Sequence, residues 1–206
     1  MAQEATIIGI ARHRIMTDGT GVCTLAAFHA CSLHCQYCLN PQSLTGAERF
    51  KAYTPQELYD RVKIDQLYFL ATGGGVTFGG GEPCLRSDFI TEFRRICGHQ
   101  WKLALETAIN VPPANIEQLI PVIDHFYIDI KDMNPAIYKR YTGKDNHLVM
   151  ENLKILAKTA NQVTIRIPLI PNFNTQGNQQ RSVEQLKEMG FGQFDLFTYQ
   201  TNIQKQ

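Results

Sequence analysis

Three cysteines in the segment CSLHCQYC, residues 31–38, have the type and spacing to bind a metal centre. Cys31, Cys35 and Cys38 form a C-x3-C-x2-C array, and thiolates this close in sequence converge on one metal object. A structural zinc ion or an electron-carrying [4Fe–4S] cluster normally takes four protein ligands, so three leave a position for a substrate or cofactor. The alternative is a closed site, in which the fourth thiol comes from one of the remaining cysteines: Cys23, Cys84 or Cys97.

The glycine-rich segment GGGEP, residues 79–83, is a second candidate element. Glycines allow the backbone to approach a ligand closely, and Glu82 would orient the turn or a bound amino group without transferring a proton. The alternative is an ordinary tight turn between a strand and a helix.

Two cationic residues stand in unusual places. Arg166 lies in the middle of an apolar strand, and an unpaired guanidinium is almost never buried, so it should face an interior site. Lys131 ends another apolar strand beside acidic residues, which would suit a bound carboxylate. The alternative for Lys131 is a solvated lysine at the start of a helix.

Strands and helices alternate along the chain about six times. The apolar and β-branched runs predict strands at 5–15, 22–28, 75–78, 102–107, 125–131, 162–170 and 194–200. Capping signals predict helices that start at Thr54 and near Ser87, one around 114–120, two short ones separated by Gly143, and a last one opened by Ser182 and Gln185. The polar stretch 172–180 is interpreted as a loop.

This alternation predicts an α/β fold in which the parallel strands form a partial (β/α)6 barrel. Chemistry in such folds sits at the carboxyl ends of the strands. The candidate motifs follow this rule, because both the cysteine segment and GGGEP come directly after predicted strands.

The composition fits one soluble domain over residues 1–206. The hydrophobic content is 44%, the formal charge is +1 and the pI is about 7.6, without a basic cluster for nucleic acid or an anionic membrane. No apolar stretch approaches the roughly 20 residues that span a bilayer, and no signal peptide is evident. Six cysteines, three at metal spacing, fit a reducing compartment, so we expect a cytoplasmic, oxygen-sensitive monomer.

The cysteine array followed by GGGEP resembles the radical S-adenosylmethionine (SAM) superfamily, in which three cysteines hold a [4Fe–4S] cluster and SAM chelates the fourth iron. The resemblance implies that one electron from the cluster cleaves SAM to methionine and a 5′-deoxyadenosyl radical. It also implies that Tyr37, just before the third cysteine, lies beside the adenine.

Further segments are similar to one family within it, the glycyl-radical-enzyme activating enzymes. They are DGTG at 18–21, Asn40, GGGVTFGGGEP at 73–83, DIKDMN at 129–134 and YTGKDNHLVMENL at 141–153. This similarity implies a glycyl radical enzyme as the protein substrate and a flavodoxin or ferredoxin as the electron donor. The chain ends soon after the last predicted strand, and we expect an open barrel side that admits a glycine loop.

The resemblance also implies roles for individual residues. Lys131 and Glu82 would contact the methionine end of SAM, together with the backbone of Gly79, Gly80 and Gly81. Asn40 would lie near the nucleoside, and Arg166 and Tyr199 would contact SAM or the substrate. A monovalent cation beside the SAM carboxylate would be held by three residues: Glu106, Thr107 and Asp129.

Three positions depart from the family pattern. Ala30 replaces a glycine, Gly79 stands where a serine is common, and Gln200 stands where a histidine is frequent. Two other functions stay open on the sequence alone. The same chemistry could act on a peptide or small metabolite, or the chain could be a non-catalytic iron–sulfur redox or sensor protein with a fourth protein ligand.

Overall fold

The computed structural model describes residues 4–15 and 19–199, which form one eight-stranded sheet flanked by helices. The strands are β1 (Ala5–Ile15), β2 (Val22–Phe28), β3 (Lys51–Tyr53), β4 (Gly75–Gly80), β5 (Lys102–Thr107), β6 (His125–Asp129), β7 (Gln162–Leu169) and β8 (Phe194–Thr198). The α-helices are α1 (Pro55–Val62), α2 (Gln66–Thr72), α3 (Ser87–Cys97), α4 (Pro113–Leu119), α5 (Pro135–Thr142), α6 (His147–Leu156) and α7 (Gln176–Glu188).

The order of strands in the sheet is β3-β1-β2-β4-β5-β6-β7-β8. Six strands pair in parallel: β2, β4, β5, β6, β7 and β8. Strand β1 is antiparallel to both β2 and β3. The six parallel strands confirm the predicted partial (β/α)6 arrangement. The short strand β3 was not predicted, because three residues carry too little periodicity to be read.

The core lies between the outer face of the sheet and the helices. Along β6, Phe126 and Ile128 are fully buried on the helix side, whereas Tyr127 and Asp129 point to the opposite, interior face. This alternation follows from the two-residue period of a strand. It leaves polar side chains on the interior face, where the candidate site lies.

The start of α1 matches its prediction and the start of α7 does not. Thr54 caps α1 in a reciprocal capping box with Glu57, as expected. The helix α7 begins instead after Thr175, whose capping box is closed by Asn178. The predicted loop at 172–180 is therefore correct only for 172–175, and the predicted cap at Ser182 is wrong. Ser182 is buried inside the helix, where its hydroxyl accepts a hydrogen bond from the Met133 amide at 3.1 Å.

Several strand ends differ by one or two residues from their predictions. Strand β4 continues to Gly80, while β6 ends at Asp129 and β8 at Thr198. Predictions for Asp18 and Gln200 lie outside the described residues. Among the helices of the described part, none has the length and apolarity needed to cross a membrane.

Candidate functional site

A cleft of about 550 Å³ opens at the carboxyl ends of the parallel strands. It gathers most of the residues singled out from the sequence: Cys31, Cys35, Cys38, Asn40, Gly80, Gly81, Glu82, Glu106, Thr107, Asp129, Lys131, Arg166 and Tyr199. Two predicted residues, Tyr37 and Gly79, are not among those lining it. The parallel topology therefore brings to one edge of the sheet side chains that are far apart in sequence.

The cysteine loop is held by backbone hydrogen bonds from distant segments. The amide of His34 donates to the Thr142 carbonyl at 2.9 Å, and that of Gln36 donates to the Tyr141 carbonyl at 3.1 Å. The Tyr199 hydroxyl donates to the carbonyl of Tyr37. The end of α5 and the end of β8 thus fix the loop from two sides. The imidazole of His34 is exposed, as expected for a loop histidine.

The three thiols of this loop are partly buried at the cleft. Burial raises the pKa of Cys31 to about 12, with the nearby Glu82 carboxylate acting in the same direction. Burial also raises the pKa of Cys35, although the charge of Lys131 opposes this shift. Because the thiolate is the form that binds a metal, ligation by Cys31 and Cys35 would have to displace the protons that burial holds on them.

The other three cysteines are not among the residues that line the cleft. Cys84 is fully buried, with its sulfur 3.2 Å from the Thr107 hydroxyl, which fits the expected small hydrophobe. Cys23 is buried on β2, and Cys97 lies at the end of α3. Among the described residues, therefore, no fourth cysteine joins the three that line the cleft.

The glycine-rich turn after β4 packs against the backbone that leads into the cysteine loop. The Gly81 amide donates to the Phe28 carbonyl at 2.9 Å and the Glu82 amide to the Ala30 carbonyl at 2.8 Å. A β-carbon on Gly81 would lie 2.0 Å from the Ala30 oxygen. The Gly80 carbonyl accepts from the Asn40 side-chain amide at 3.1 Å. These glycines therefore allow the turn to pack closely against the protein's own backbone.

Glu82 is 1% exposed and ties this turn to the end of β5. One carboxylate oxygen accepts from the Thr107 hydroxyl at 2.6 Å and the Cys84 amide at 3.1 Å, and the other accepts from the Ala108 amide at 3.0 Å. Burial raises the pKa of Glu82, and these donors oppose the shift. The geometry supports the first of its two predicted roles, the orientation of the turn.

A layer of charged residues crosses the floor of the cleft. Arg166 on β7 donates to the Glu106 carboxylate at 2.7 Å and lies 3.8 Å from that of Asp195 on β8. Its guanidinium also stacks at 4.7 Å over the ring of Tyr127. The sequence prediction that Arg166 faces the interior is confirmed. The carboxylate partners lie on neighbouring strands and could not be named from the local sequence.

Lys131 points into the same cleft, and its side chain is only 12% exposed. The alternative of a solvated lysine is therefore wrong. Its ammonium lies 3.2 Å from the Asp129 carboxylate. Burial acts to lower the pKa of Lys131, but Asp129 and Cys35 outweigh it and raise the pKa above its ordinary value. Lys131 therefore remains a fixed positive charge beside the cysteine loop.

Tyr37 belongs to an aromatic cluster beside the cleft. Its ring centroid lies 5.7 Å from that of Phe173, 6.2 Å from that of Tyr141 and 6.4 Å from that of Tyr199. Tyr141 lines the cleft and was not predicted as a site residue. It stands in the YTGKD segment, so the motif that carried the resemblance was the signal that could have identified it.

A second cavity of about 600 Å³ lies at the amino ends of the strands, lined in part by Cys23, Thr77 and His125. It contains none of the predicted site residues. We therefore place the candidate site at the opposite, carboxyl end, where the thiols and the charged layer meet. Among the residues that the structure describes, no group of three or more His, Cys, Asp or Glu side chains is placed to hold a single metal ion.

Comparison with known proteins identifies the family of the chain. Residues 26–177 match the family described as "Radical SAM superfamily". The chain is 34% identical over 125 residues to the (2S)-3-sulfopropanediol dehydratase activating enzyme of Klebsiella oxytoca, covering 60% of this chain and 39% of that relative. It is 32% identical over 161 residues to the pyruvate formate-lyase-activating enzyme of Clostridium pasteurianum, covering 77% of this chain and 66% of that relative. The chain thus spans less than two thirds of either relative.

Among solved structures, SuiB of Streptococcus suis bound to S-adenosylmethionine matches 86% of this chain and 41% of its own, with a TM-score of 0.65 and 16% sequence identity. At this identity the likeness concerns the fold. It places the same sheet architecture around the cleft described above.

Proposed function

This chain belongs to the radical SAM superfamily, and on that premise we propose that it is an activating enzyme that removes one hydrogen atom from a glycine Cα of a partner glycyl radical enzyme. The observation that carries the proposal is the convergence of the three loop thiols, the glycine-rich turn and the charged layer on one cleft. Over most of its length the chain is similar to relatives that are named activating enzymes, and this similarity supports the choice of substrate class.

The residues present fit a [4Fe–4S] cluster. Cys31, Cys35 and Cys38 would hold three irons, because they line the cleft while the other cysteines do not. When bound, the reduced cluster would supply one electron that cleaves SAM into methionine and a 5′-deoxyadenosyl radical, and this radical would take the glycine hydrogen to give 5′-deoxyadenosine and a glycyl radical.

The charged layer suits the methionine end of SAM, which carries a carboxylate, an ammonium and a sulfonium group. Lys131 supplies a buried positive charge for the carboxylate. Asp129 and Glu106 pair with Lys131 and Arg166 and so hold these two cationic side chains in the cleft. Glu82 acts indirectly, because its oxygens are engaged by Thr107, Cys84 and Ala108.

The walls of the cleft protect the reaction from unwanted hydrogen donors and water. Leu25 and Leu33 line it with apolar surface, and Tyr141 and Tyr199 close the side next to the cysteine loop. Excluding water strengthens every charge interaction inside the cleft. The partner's glycine loop would enter from the open mouth. We further propose a flavodoxin or ferredoxin as the reductant and a cytoplasmic setting.

The decisive experiment is anaerobic reconstitution of the chain with iron, sulfide and SAM, followed by dithionite and candidate partner proteins. The expected products are 5′-deoxyadenosine and a glycyl radical doublet in the electron paramagnetic resonance spectrum. Deoxyadenosine without a doublet for any partner would favour a peptide or small metabolite as the substrate. A cluster with four protein ligands and no SAM cleavage would overturn the proposal in favour of a redox or sensor protein.

A further inference from the structure

The residues expected to hold a monovalent cation beside SAM do not present a cation site. Thr107 borders the cleft, but its side chain turns to the helix side of β5, where it is 2% exposed and its hydroxyl donates to Glu82 at 2.6 Å and accepts from the Ile109 amide at 2.8 Å. Glu106, the next residue back, points to the interior face. Because successive side chains of a strand alternate between faces, Glu106 and Thr107 cannot both direct their side chains at one ion.

The two carboxylates of the expected site already face fixed positive charges. Glu106 accepts from the Arg166 guanidinium at 2.7 Å, and both side chains are largely buried, at 21% and 17% exposure. Asp129 lies 3.2 Å from the Lys131 ammonium. A monovalent ion at this corner would have to displace the guanidinium or remain close to it, and like charges in a poorly solvated cleft repel strongly.

Arg166 is placed here by strand register rather than by a flexible loop. It pairs with Asp129 on β6 and with Asp195 on β8, and Tyr127 lies beneath its guanidinium. Gly79 on β4 makes room for the arrangement, because a β-carbon there would lie 3.0 Å from a Glu106 carboxylate oxygen. A side chain at position 79 would therefore press on the Glu106 carboxylate.

We propose that the Arg166 guanidinium takes the place of the monovalent cation at this corner, so that SAM binding by this chain requires neither Na⁺ nor K⁺. The inference rests on the proposed function, since it concerns how SAM is bound. An arginine side chain is charged at every physiological pH and is attached covalently. The positive charge is therefore present at all salt compositions.

The test measures SAM affinity by isothermal titration of the anaerobically reconstituted protein, with choline or K⁺ as the sole added cation. The wild-type affinity for SAM should be the same in both salts to within about twofold. A bound cation that assisted SAM binding would change the affinity by more than this, since coupling between two sites is typically at least about fivefold. Arg166→Gln should lose about tenfold in affinity in choline and regain most of it in K⁺ or Na⁺. Arg166→Lys, which keeps the charge, should stay insensitive to the cation.

Arg95→Gln is the matched control, because it removes one exposed arginine from α3, far from the cleft. Circular dichroism checks that each variant is folded. Wild-type affinity that rises about tenfold with K⁺, or an Arg166→Gln variant that no cation rescues, would overturn the inference.

A direct measurement separates this inference from the proposed function. Thallium-205 resonance of Tl⁺, which mimics K⁺, can be followed with the reconstituted protein before any SAM is added. We expect line broadening with Arg166→Gln and none above the Arg95→Gln control with wild type. Site-specific broadening with wild type that Asp129→Asn abolishes would refute the cation replacement. Failure of wild type to bind SAM at all would instead refute the proposed function.

Discussion

Gly81 approaches Ala30 so closely that a β-carbon on Gly81 would lie 2.0 Å from the Ala30 carbonyl oxygen. This contact joins the glycine-rich turn to the residue just before the first cysteine of the loop. Any side chain at position 81 must therefore push the two segments apart. The geometry of the cysteine loop therefore depends on Gly81, whether or not Gly81 contacts a bound cofactor.

Gly81→Ala should destabilise the protein by at least about 1–3 kcal/mol, the usual cost of overpacking, and should reduce the iron bound after reconstitution. Urea unfolding and iron analysis measure the two effects. Gly192→Ala is the matched control, because no atom lies within 4 Å of the added β-carbon. Equal stability of the two variants would contradict the assigned contact.

Ala30→Gly should stabilise the protein. Ala30 has φ of 76°, in the left-handed region. An L-residue there costs about 1–2 kcal/mol, and the entropy cost of glycine is about 0.5–1 kcal/mol, so a net gain of about 0.5–1 kcal/mol is expected. Ala26→Gly, within β2 and fully buried, should change stability in the opposite direction. Thermal unfolding compares the two, and a lower midpoint for Ala30→Gly would refute the argument.

Tyr199→Phe should loosen the cysteine loop. The substitution keeps the ring and removes the hydroxyl, which donates to the Tyr37 carbonyl and also interacts with the Tyr141 side chain. The expected loss is about 0.5–1.5 kcal/mol in urea unfolding, with faster release of iron to a chelator from the reconstituted protein. Tyr68→Phe on α2, where the side chain is 53% exposed, serves as the control. Unchanged iron release in Tyr199→Phe would show that the loop does not need this anchor.

Serine at Cys31, Cys35 or Cys38 should prevent cluster assembly and abolish SAM cleavage. Removing a residue that only hydrogen-bonds to a metal ligand typically lowers metal affinity by roughly 10–100-fold, so removing a ligand itself should lower it at least as much. Iron and sulfide analysis together with deoxyadenosine formation provide the measurement. Cys97→Ser, at the end of α3, should retain both. Loss of the cluster in Cys97→Ser, with retention in the three loop variants, would overturn the ligand assignment.

Asp65 should make the free energy of unfolding depend on pH in acid. Its buried carboxylate accepts from Arg12 at 3.0 and 2.9 Å and from the Thr24 hydroxyl at 2.9 Å. The Arg12 hydrogen bond, opposed by burial and assisted by Thr24, holds the pKa of Asp65 below its ordinary value of 3.8. Below that value the unfolded chain binds more protons than the folded one, so the stability from Asp65 is lost as the pH falls.

Asp65→Asn should therefore be less stable near neutral pH by about 1.5–3 kcal/mol, the worth of hydrogen bonds to a charged group. Its unfolding midpoint should fall less steeply than that of wild type as the pH drops below 4. Urea unfolding across this range is the measurement, with Glu117→Gln on the exposed side of α4 as the charge-matched control. Parallel slopes for wild type and Asp65→Asn would contradict the assignment.

Local patterns predicted the strands well, and most of the candidate residues that they placed at strand ends line one cleft. The two-residue period revealed the strands that carry Glu106 and Arg166, and motif spacing identified the thiols. What the sequence could not give was register. The ion pair between Arg166 and Glu106 joins residues 60 positions apart, and it depends on how β5, β6 and β7 align.

The error at α7 has a different cause. The stretch after Thr175 is rich in glutamine and asparagine, a composition typical of a polar loop, yet it forms the first turns of a helix. The Gln179 side chain even donates to the Ile167 carbonyl of β7 at 2.7 Å. The capping signal was present, with Asn178 in the place usually taken by glutamate. Tyr37 illustrates a third limit, because the position of an aromatic ring within a cluster depends on partners from distant segments.

The hydroxyl of Tyr199 reaches the cysteine loop from the far end of the described chain. Tyr37 precedes that anchor by 162 residues, so the ribosome releases the thiols long before Tyr199 has been made. The loop therefore lacks this hydrogen bond while the strands β4 to β8 are being synthesised. We expect iron delivery by the cell's assembly machinery to succeed only after translation has passed β8.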